Sequence, residues 1–532
     1  MKKTLFYITL VLIVLSCKSK KEMVQVTPQI KAPTFPKEGI NHFIDSTLQL
    51  SKDSSLTQLY NFSNNKLIWK NDSSVEHALK WISEACYHGL NVQKYQLDSL
   101  HNIWNKLELS DSNFIANRAS FDYSLTTAVQ SLGRDIRYGK LNAEAYYKSW
   151  NFNKPESYSD STWVDLVVNN KATELNLFFS PKHKLYHHIY AELKDLLNQP
   201  EGETIQIIDP KFTLRQGDSN RYVLPIKQRL LNIDTSKHLM AFDAELHDAV
   251  VLFQKKHGLT ADGIIGKNTY YYLNWDKQKH IEILLANQEK LRWIPAQQLN
   301  DGVVVNIPSM QLDIYRADSL FSTRRVVVGK YDNQTPILRS RLSYIVFNPC
   351  WTVPYSIASK SMLPRLKKDS LYLQKHNMFI SQGGKEVVAD SVDFNQYNST
   401  NFPFTIFQRT DANNALGAVK FMFHNNYSVY LHDTPSKRLF SKDIRAFSHG
   451  CVRVQNAKQM AEELLFDIDG QTVPHSYYYK KGFPVKVHLK NRLMLNLVYF
   501  TCWYDESDNQ LKYYKDIYGK DYKIIRDLNL DF

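Results

Sequence analysis

The chain lacks most of the features that would assign it quickly. Five cysteines in 532 residues do not make a disulfide framework. Beyond the N-terminal run, no segment is long and apolar enough for a membrane-spanning helix. The formal net charge is +13, yet no nucleic-acid-binding motif accompanies it. The basic balance is read as a solvated surface, or as attraction to an acidic polymer or membrane face. His432, His449 and Cys451 have no fourth Cys or His at the spacing of a closed zinc site. What remains is a soluble globular composition, 43% hydrophobic and 22% charged, with many Tyr and Phe to fill cores. The length suits about three domains.

One stretch, 430–456, reads YLHDTPSKRLFSKDIRAFSHGCVRVQN and concentrates chemistry. A thiol near neutral pH is mostly protonated and a poor nucleophile. Positive neighbours and a histidine base make thiolate available. Cys451 has His449 two residues before it and Arg453 two after, with His432 upstream. Gly450 lets backbone approach a substrate, and N–H groups there would face a developing oxyanion. Against this stand a small buried hydrophobe and a zinc ligand set. The combination favours a nucleophile.

The string S-H-G-C-V-R with Asn456 after it and H-D-T-P before it resembles the active-site signature of the YkuD-fold L,D-transpeptidases. It is closest to their long, multidomain periplasmic subgroup. The resemblance implies a cysteine acyltransferase of peptidoglycan, with no metal or cofactor. Cys451 would be the nucleophile and His432 the general base, its ring oriented by the Asp433 carbonyl. His449 would support the nucleophile loop. Gly450 would serve the oxyanion, and Arg453 would either brace the loop or hold stem carboxylates. Tyr430, Trp351, Asn414, Gly417 and Ser448 would line the substrate pocket, or, for the aromatics, pack in the core. Cys350 stands where an aromatic is expected beside Trp351. The implied partners are peptidoglycan stem peptides, with carbapenem-type β-lactams as inhibitors of a monomeric enzyme.

The implied reaction transfers a tetrapeptide stem to Cys451, releases D-alanine and makes 3→3 crosslinks. An L,D-carboxypeptidase of the same fold would use water instead. A non-catalytic, wall-anchoring lipoprotein is the reading from a different class, and the His432/Cys451 pair argues against it.

The expected fold is multidomain α+β. Residues 1–17 read as a signal peptide ending in a lipobox-like LSC, with Cys17 lipidated and the protein anchored in the periplasm, to the inner face of the outer membrane. Residues 18–39 form a tether rich in Lys, Pro, Thr and Gln. Residues 40–218 read as a helical scaffold, to which 277–299 return. Periodic apolar residues predict helices over 77–86, 121–136 and 185–197.

Residues 219–276 carry F-Q-x-x-x-G-L-x-x-D-G-x-x-G-x-x-T and resemble a three-helix peptidoglycan-binding module, though its usual glycine near Ile233 is missing. From 300 to 532 the pattern turns to β and resembles the catalytic domain. A capping insertion is expected at about 356–402, carrying Lys360, Arg365, Lys367 and Lys368, and a C-terminal extension over 491–532. Cys86, Cys350 and Cys502 are expected as buried thiols, with one bridge among them left open.

Overall fold

The computed structural model describes residues 54–530, apart from 65, 108–112, 201–204, 208–210 and 233–239. The apolar run at the N-terminus, Cys17 and the tether lie outside the described residues.

The N-terminal unit is helical. In Asp72–Ser83, Val75, Ala78, Leu79 and Ile82 fall on one buried face at helical spacing. They pack with Phe121, Leu125, Val129 and Leu132 of the long helix Phe114–Tyr138. Asp122 of that helix accepts from the Trp69 amide at 2.9 Å and the Tyr60 hydroxyl at 2.7 Å. Those bonds fix the preceding chain onto the bundle.

Three short helices, Val223–Leu231, Ala244–Lys256 and Lys267–Leu273, form a separate small core around Ile226, Leu246, Val250 and Leu273. Gln254 knots the turn between the last two. Its amide donates to the Ile264 carbonyl at 2.9 Å and its oxygen accepts from Gly263 N–H at 2.9 Å. Ile207 and Leu214 also enter this core, upstream of residue 219.

The helix Lys277–Arg292 then joins the units. From Ile283 to Arg292 every residue is buried, polar ones included. Glu289 accepts from the Lys140 and Leu141 amides, both at 2.8 Å, and pairs with Arg292 at 2.9 Å. Lys290 pairs with Asp521 at 2.8 Å. Burying these charges is tolerable because each finds a partner. From Ile283 on, the helix is enclosed on all sides, so an apolar stripe describes it poorly.

The remaining chain supplies strands β1 Gly302–Asn306, β2 Gln311–Arg316, β3 Ser319–Gly329, β4 Leu338–Phe347, β5 Trp351–Thr352, β6 Met378–Gln382, β7 Lys385–Val387, β8 Thr405–Gln408, β9 Val419–Phe423, β10 Leu431–His432, β11 Ala446–Ser448, β12 Val452–Val454, β13 Val485–His488, β14 Met494–Val498, β15 Cys502–Asp505 and β16 Gln510–Tyr513. Among the described residues, one sheet of ten strands runs β11-β3-β12-β10-β9-β4-β14-β1-β2, with β13 beside β4. Strands β2 and β3 also pair, so the sheet curls back on itself. The segment after Asn491 is more than an appendage. Its first strand, β14, lies inside the sheet, parallel to β1 and antiparallel to β4.

The break in the strand pattern after Pro354 is a unit with its own core, built on Met362, Leu363, Ile380, Phe404 and Ile406. Its sheet runs β5-β8-β6-β7. Because β5 pairs with β8, this unit begins at Trp351 and ends at Gln408, wider than the pattern alone indicates.

Candidate active site

Strand alternation builds the site. β10 lies between β9 and β12, pairing Leu431 with Phe421 on one side and Val452 on the other. All three are buried in the core. The next residues along each strand therefore point to the opposite face. That register sets His432 between Lys420 and Arg453. Tyr430 and Cys451 stand one step away on the same face, where Val452 N–H donates to the Tyr430 carbonyl at 3.1 Å.

The Cys451 thiol donates to the Ser428 carbonyl at 3.9 Å, and the Tyr430 N–H and hydroxyl lie on the side that favours its charged form. Burial pushes the Cys451 thiol above its ordinary range, while the Tyr430 donors, Arg453 and Lys420 pull it back. The His432 Nδ1–H donates to the Asp433 carbonyl at 2.5 Å, which leaves Nε2 as the ring's acceptor. Burial, with Arg453 beside it, lowers the His432 pKa to about 3. The resting site thus pairs a neutral imidazole with a neutral thiol. No hydrogen bond joins the two side chains in this structure, and such bonds commonly tighten only when substrate is bound.

The nucleophile loop is held from below. Ser448 Oγ donates to the Cys451 carbonyl at 2.5 Å and accepts from Gly450 N–H at 3.1 Å. Thr335 Oγ1 donates to the Gly450 carbonyl at 2.8 Å and accepts from Gly329 N–H at 2.9 Å. Tyr518, from the C-terminal segment, accepts from Thr335 N–H at 3.1 Å and donates to the Gly329 carbonyl at 2.7 Å.

Several expected roles change accordingly. The Gly450 N–H is engaged by Ser448, so this amide is not presented to an oxyanion. What Gly450 supplies is a backbone at φ +113°, which favours glycine. Ser448 is buried with its hydroxyl committed on both sides, and it braces the loop instead of lining a pocket. Asn414 is fully buried and spends its amide on the Arg409 carbonyl at 2.9 Å and Leu416 N–H at 2.8 Å. Gly417, at φ +62°, lets Asp433 approach. A Cβ there would meet the carboxylate at 2.5 Å. Both residues shape the turn before β9.

His449 is exposed and makes none of the loop's bonds. Partial desolvation of its ring, then the charges of Lys330, Arg453 and Arg365, lower its pKa. The Arg453 Nε is buried without a hydrogen-bond partner, and no ion pair or hydrogen bond ties the Arg453 side chain to the loop among the described residues. Bracing therefore falls to Ser448 and Thr335. Cys350 is exposed, with its sulfur 3.6 Å from Thr410 Oγ1, whereas Cys86 and Cys502 are buried. No disulfide joins the described cysteines. Among the described residues, no group of three or more His, Cys, Asp and Glu gathers where a metal ion would bind.

Lys420 and Thr335 escaped the sequence reading. Lys420 sits in the alternation V-K-F-M-F, which marks it as facing away from the core, but only the register shows what it faces. Thr335 lies in a polar turn with no signal of its long-range partner.

Residues 300–487 match the family model of the L,D-transpeptidase catalytic domain, YkuD. Residues 54–193 match a scaffold domain, and 223–273 a domain described as "Putative peptidoglycan binding domain". The chain is 32% identical over 263 residues to a Haemophilus influenzae protein described as "Putative L,D-transpeptidase", which covers 49% of this chain and 53% of that protein. It thus spans about half the length of that relative. Solved L,D-transpeptidase structures from Stackebrandtia nassauensis and Xylanimonas cellulosilytica align at 12% and 15% identity. They cover 97% and 100% of those chains, each with 56% of this one, at TM-scores of 0.21 and 0.17. Scores that low add nothing to the fold described above.

Proposed function

We propose, for a chain whose residues match the L,D-transpeptidase catalytic domain, a scaffold domain and a peptidoglycan-binding domain, that Cys451 transfers an acyl group between peptidoglycan stems. The observation that carries this reading is the shared sheet face of Tyr430, Cys451, His432 and Arg453. The sulfur attacks the carbonyl of the third stem residue as His432 Nε2 takes the thiol proton. The C–N bond to D-alanine breaks, its nitrogen receives that proton, and a thioester remains. The side-chain amine of a second stem then attacks, His432 takes one of its protons, and that proton returns to the departing sulfur. Splitting one acyl transfer into two steps lowers each barrier. The Tyr430 donors stabilise the sulfur as it gains charge, and the unpartnered Arg453 receives a stem carboxylate.

Incubation with isolated peptidoglycan, followed by mass spectrometry of muropeptides, tests this. The expected products are 3→3-linked dimers, absent with Cys451→Ala. Tripeptide stems without dimers would identify a carboxypeptidase, and unchanged muropeptides would leave only an anchoring role. We further place the protein on the periplasmic face of the outer membrane, held by a lipid on Cys17. Cys17→Ala should then move to the soluble fraction, and its continued sedimentation with membranes would refute the anchor.

A further inference from the structure

Lys420 is a cation at the site whose charge no carboxylate among the described residues answers. It lies directly opposite His432 in the β9–β10 ladder, on the face that carries Cys451. Its ammonium stands 5.4 Å from the centroid of the Tyr430 ring. Tyr430 lies across the β10–β12 pairing from Cys451, where Val452 N–H donates to its carbonyl. The ammonium is therefore one aromatic ring away from the nucleophile. Lys420 is half-buried, and its burial disfavours the charge. Among the described residues no carboxylate pairs with it. The Asp433 carboxylate, nearby in sequence to His432, is taken by Lys437 and Ala418 N–H. Lys420 also lies within electrostatic reach of both Cys451 and the exposed Cys350, where the chain enters the cap.

A half-buried cation held only against an aromatic ring, with no carboxylate partner, is suited to an anion that arrives with the ligand. The proposed reaction, on which this inference rests, removes the last residue of a peptide. Its substrate therefore carries a free carboxylate one residue beyond the scissile carbonyl. Successive Cα atoms are about 3.8 Å apart, so that carboxylate must lie close to the nucleophile. We propose that Lys420 binds the terminal carboxylate of the donor stem and so restricts the enzyme to stems that end one residue after the bond it cleaves. Arg453, on the other flank of His432, is left for a carboxylate elsewhere on the stem.

The test compares two donors with the full-length protein: a stem tetrapeptide with a free C-terminal carboxylate, and the same peptide as its C-terminal amide. The readout is thioester formation on Cys451 by intact-protein mass, in wild type, Lys420→Met and Lys420→Arg. A charge-assisted contact corresponds to a wild-type preference for the acid of about ten- to a hundred-fold in kcat/KM. Lys420→Met should collapse that ratio to near one, chiefly through KM for the acid, and Lys420→Arg should restore part of it. Equal losses on acid and amide would show a merely structural lysine and overturn the proposal. A ratio unchanged in Lys420→Met would overturn it too, with the carboxylate contact lying elsewhere. If wild type forms a thioester with neither peptide, the acyl-transfer reading itself fails and this inference falls with it.

Discussion

Thr335 and Gly450 are 115 residues apart in sequence, yet the Thr335 hydroxyl donates to the Gly450 carbonyl at 2.8 Å. The same hydroxyl accepts from Gly329 N–H, so one side chain ties β3 to the turn that presents Cys451. Thr335→Val keeps the shape and removes both bonds. Leaving buried polar groups unpaired costs about 1–3 kcal/mol. The variant should unfold at lower temperature and acylate Cys451 more slowly, with KM for the donor nearly unchanged. Thermal unfolding and acylation kinetics check this. Wild-type values for both would show that the turn holds itself.

The pH dependence should separate this site from one with a preformed thiolate–imidazolium pair. His432 has its pKa lowered to about 3 and Cys451 has its thiol raised. Between these limits both groups are neutral in the resting protein. Alkylation of Cys451 by iodoacetamide should therefore climb steadily from pH 6 to pH 10. A plateau of fast alkylation between pH 5 and pH 7 would contradict the neutral pair.

Stability should follow the same groups. His88 and His257 also have pKa values near 3, and His183 near 4, all chiefly through burial. An unfolded histidine takes up its proton near pH 6.5, whereas these folded ones do not. Their contribution is thus fully present above pH 6.5 and is lost as pH falls toward 4, by up to about 1.4 kcal/mol per pH unit for each. Denaturant unfolding at pH 7 and pH 5 should show the loss. Equal stability at both pH values would mean that these rings are not held neutral.

The cap has a core of its own, and its end strands β5 and β8 lie paired side by side. A short Gly/Ser linker replacing 354–404 would join them without stretching the chain. A unit that closed over Cys451 would exclude water and favour an amine acceptor. The shortened protein should shift products from crosslinks toward trimmed stems. An unchanged product ratio would remove the lid role.

How much of this was legible depended on the range of the signal. SHGCVR and the upstream HDTP are local strings, so Cys451 and His432 could be named before any fold was known. The scaffold helices were legible because one face of Asp72–Ser83 is apolar and the other wet. The helix Lys277–Arg292 hid its importance because its buried positions include Glu289 and Lys290, whose partners at 140–141 and Asp521 lie far away in sequence. Ser448 and Asn414 read as pocket residues because the family resemblance implies that role at their positions. Only the hydrogen bonds show that their side chains are already committed. The Tyr430 contact to Cys451 follows from β10–β12 register, which no local pattern carries.

The division of labour between the two histidines is the most direct test of the account. The rate of thioester formation on Cys451 with a stem tetrapeptide should be measured by intact-protein mass for wild type, His432→Ala, His449→Ala and Cys451→Ala. Loss of a general base typically costs about 10²–10⁴-fold. His432→Ala should slow acylation by that order while the protein stays folded, His449→Ala should cost much less, and Cys451→Ala should gain no mass. Acylation of His432→Ala near the wild-type rate, with His449→Ala inactive, would contradict the assignment, and a mass gain on Cys451→Ala would contradict the nucleophile itself.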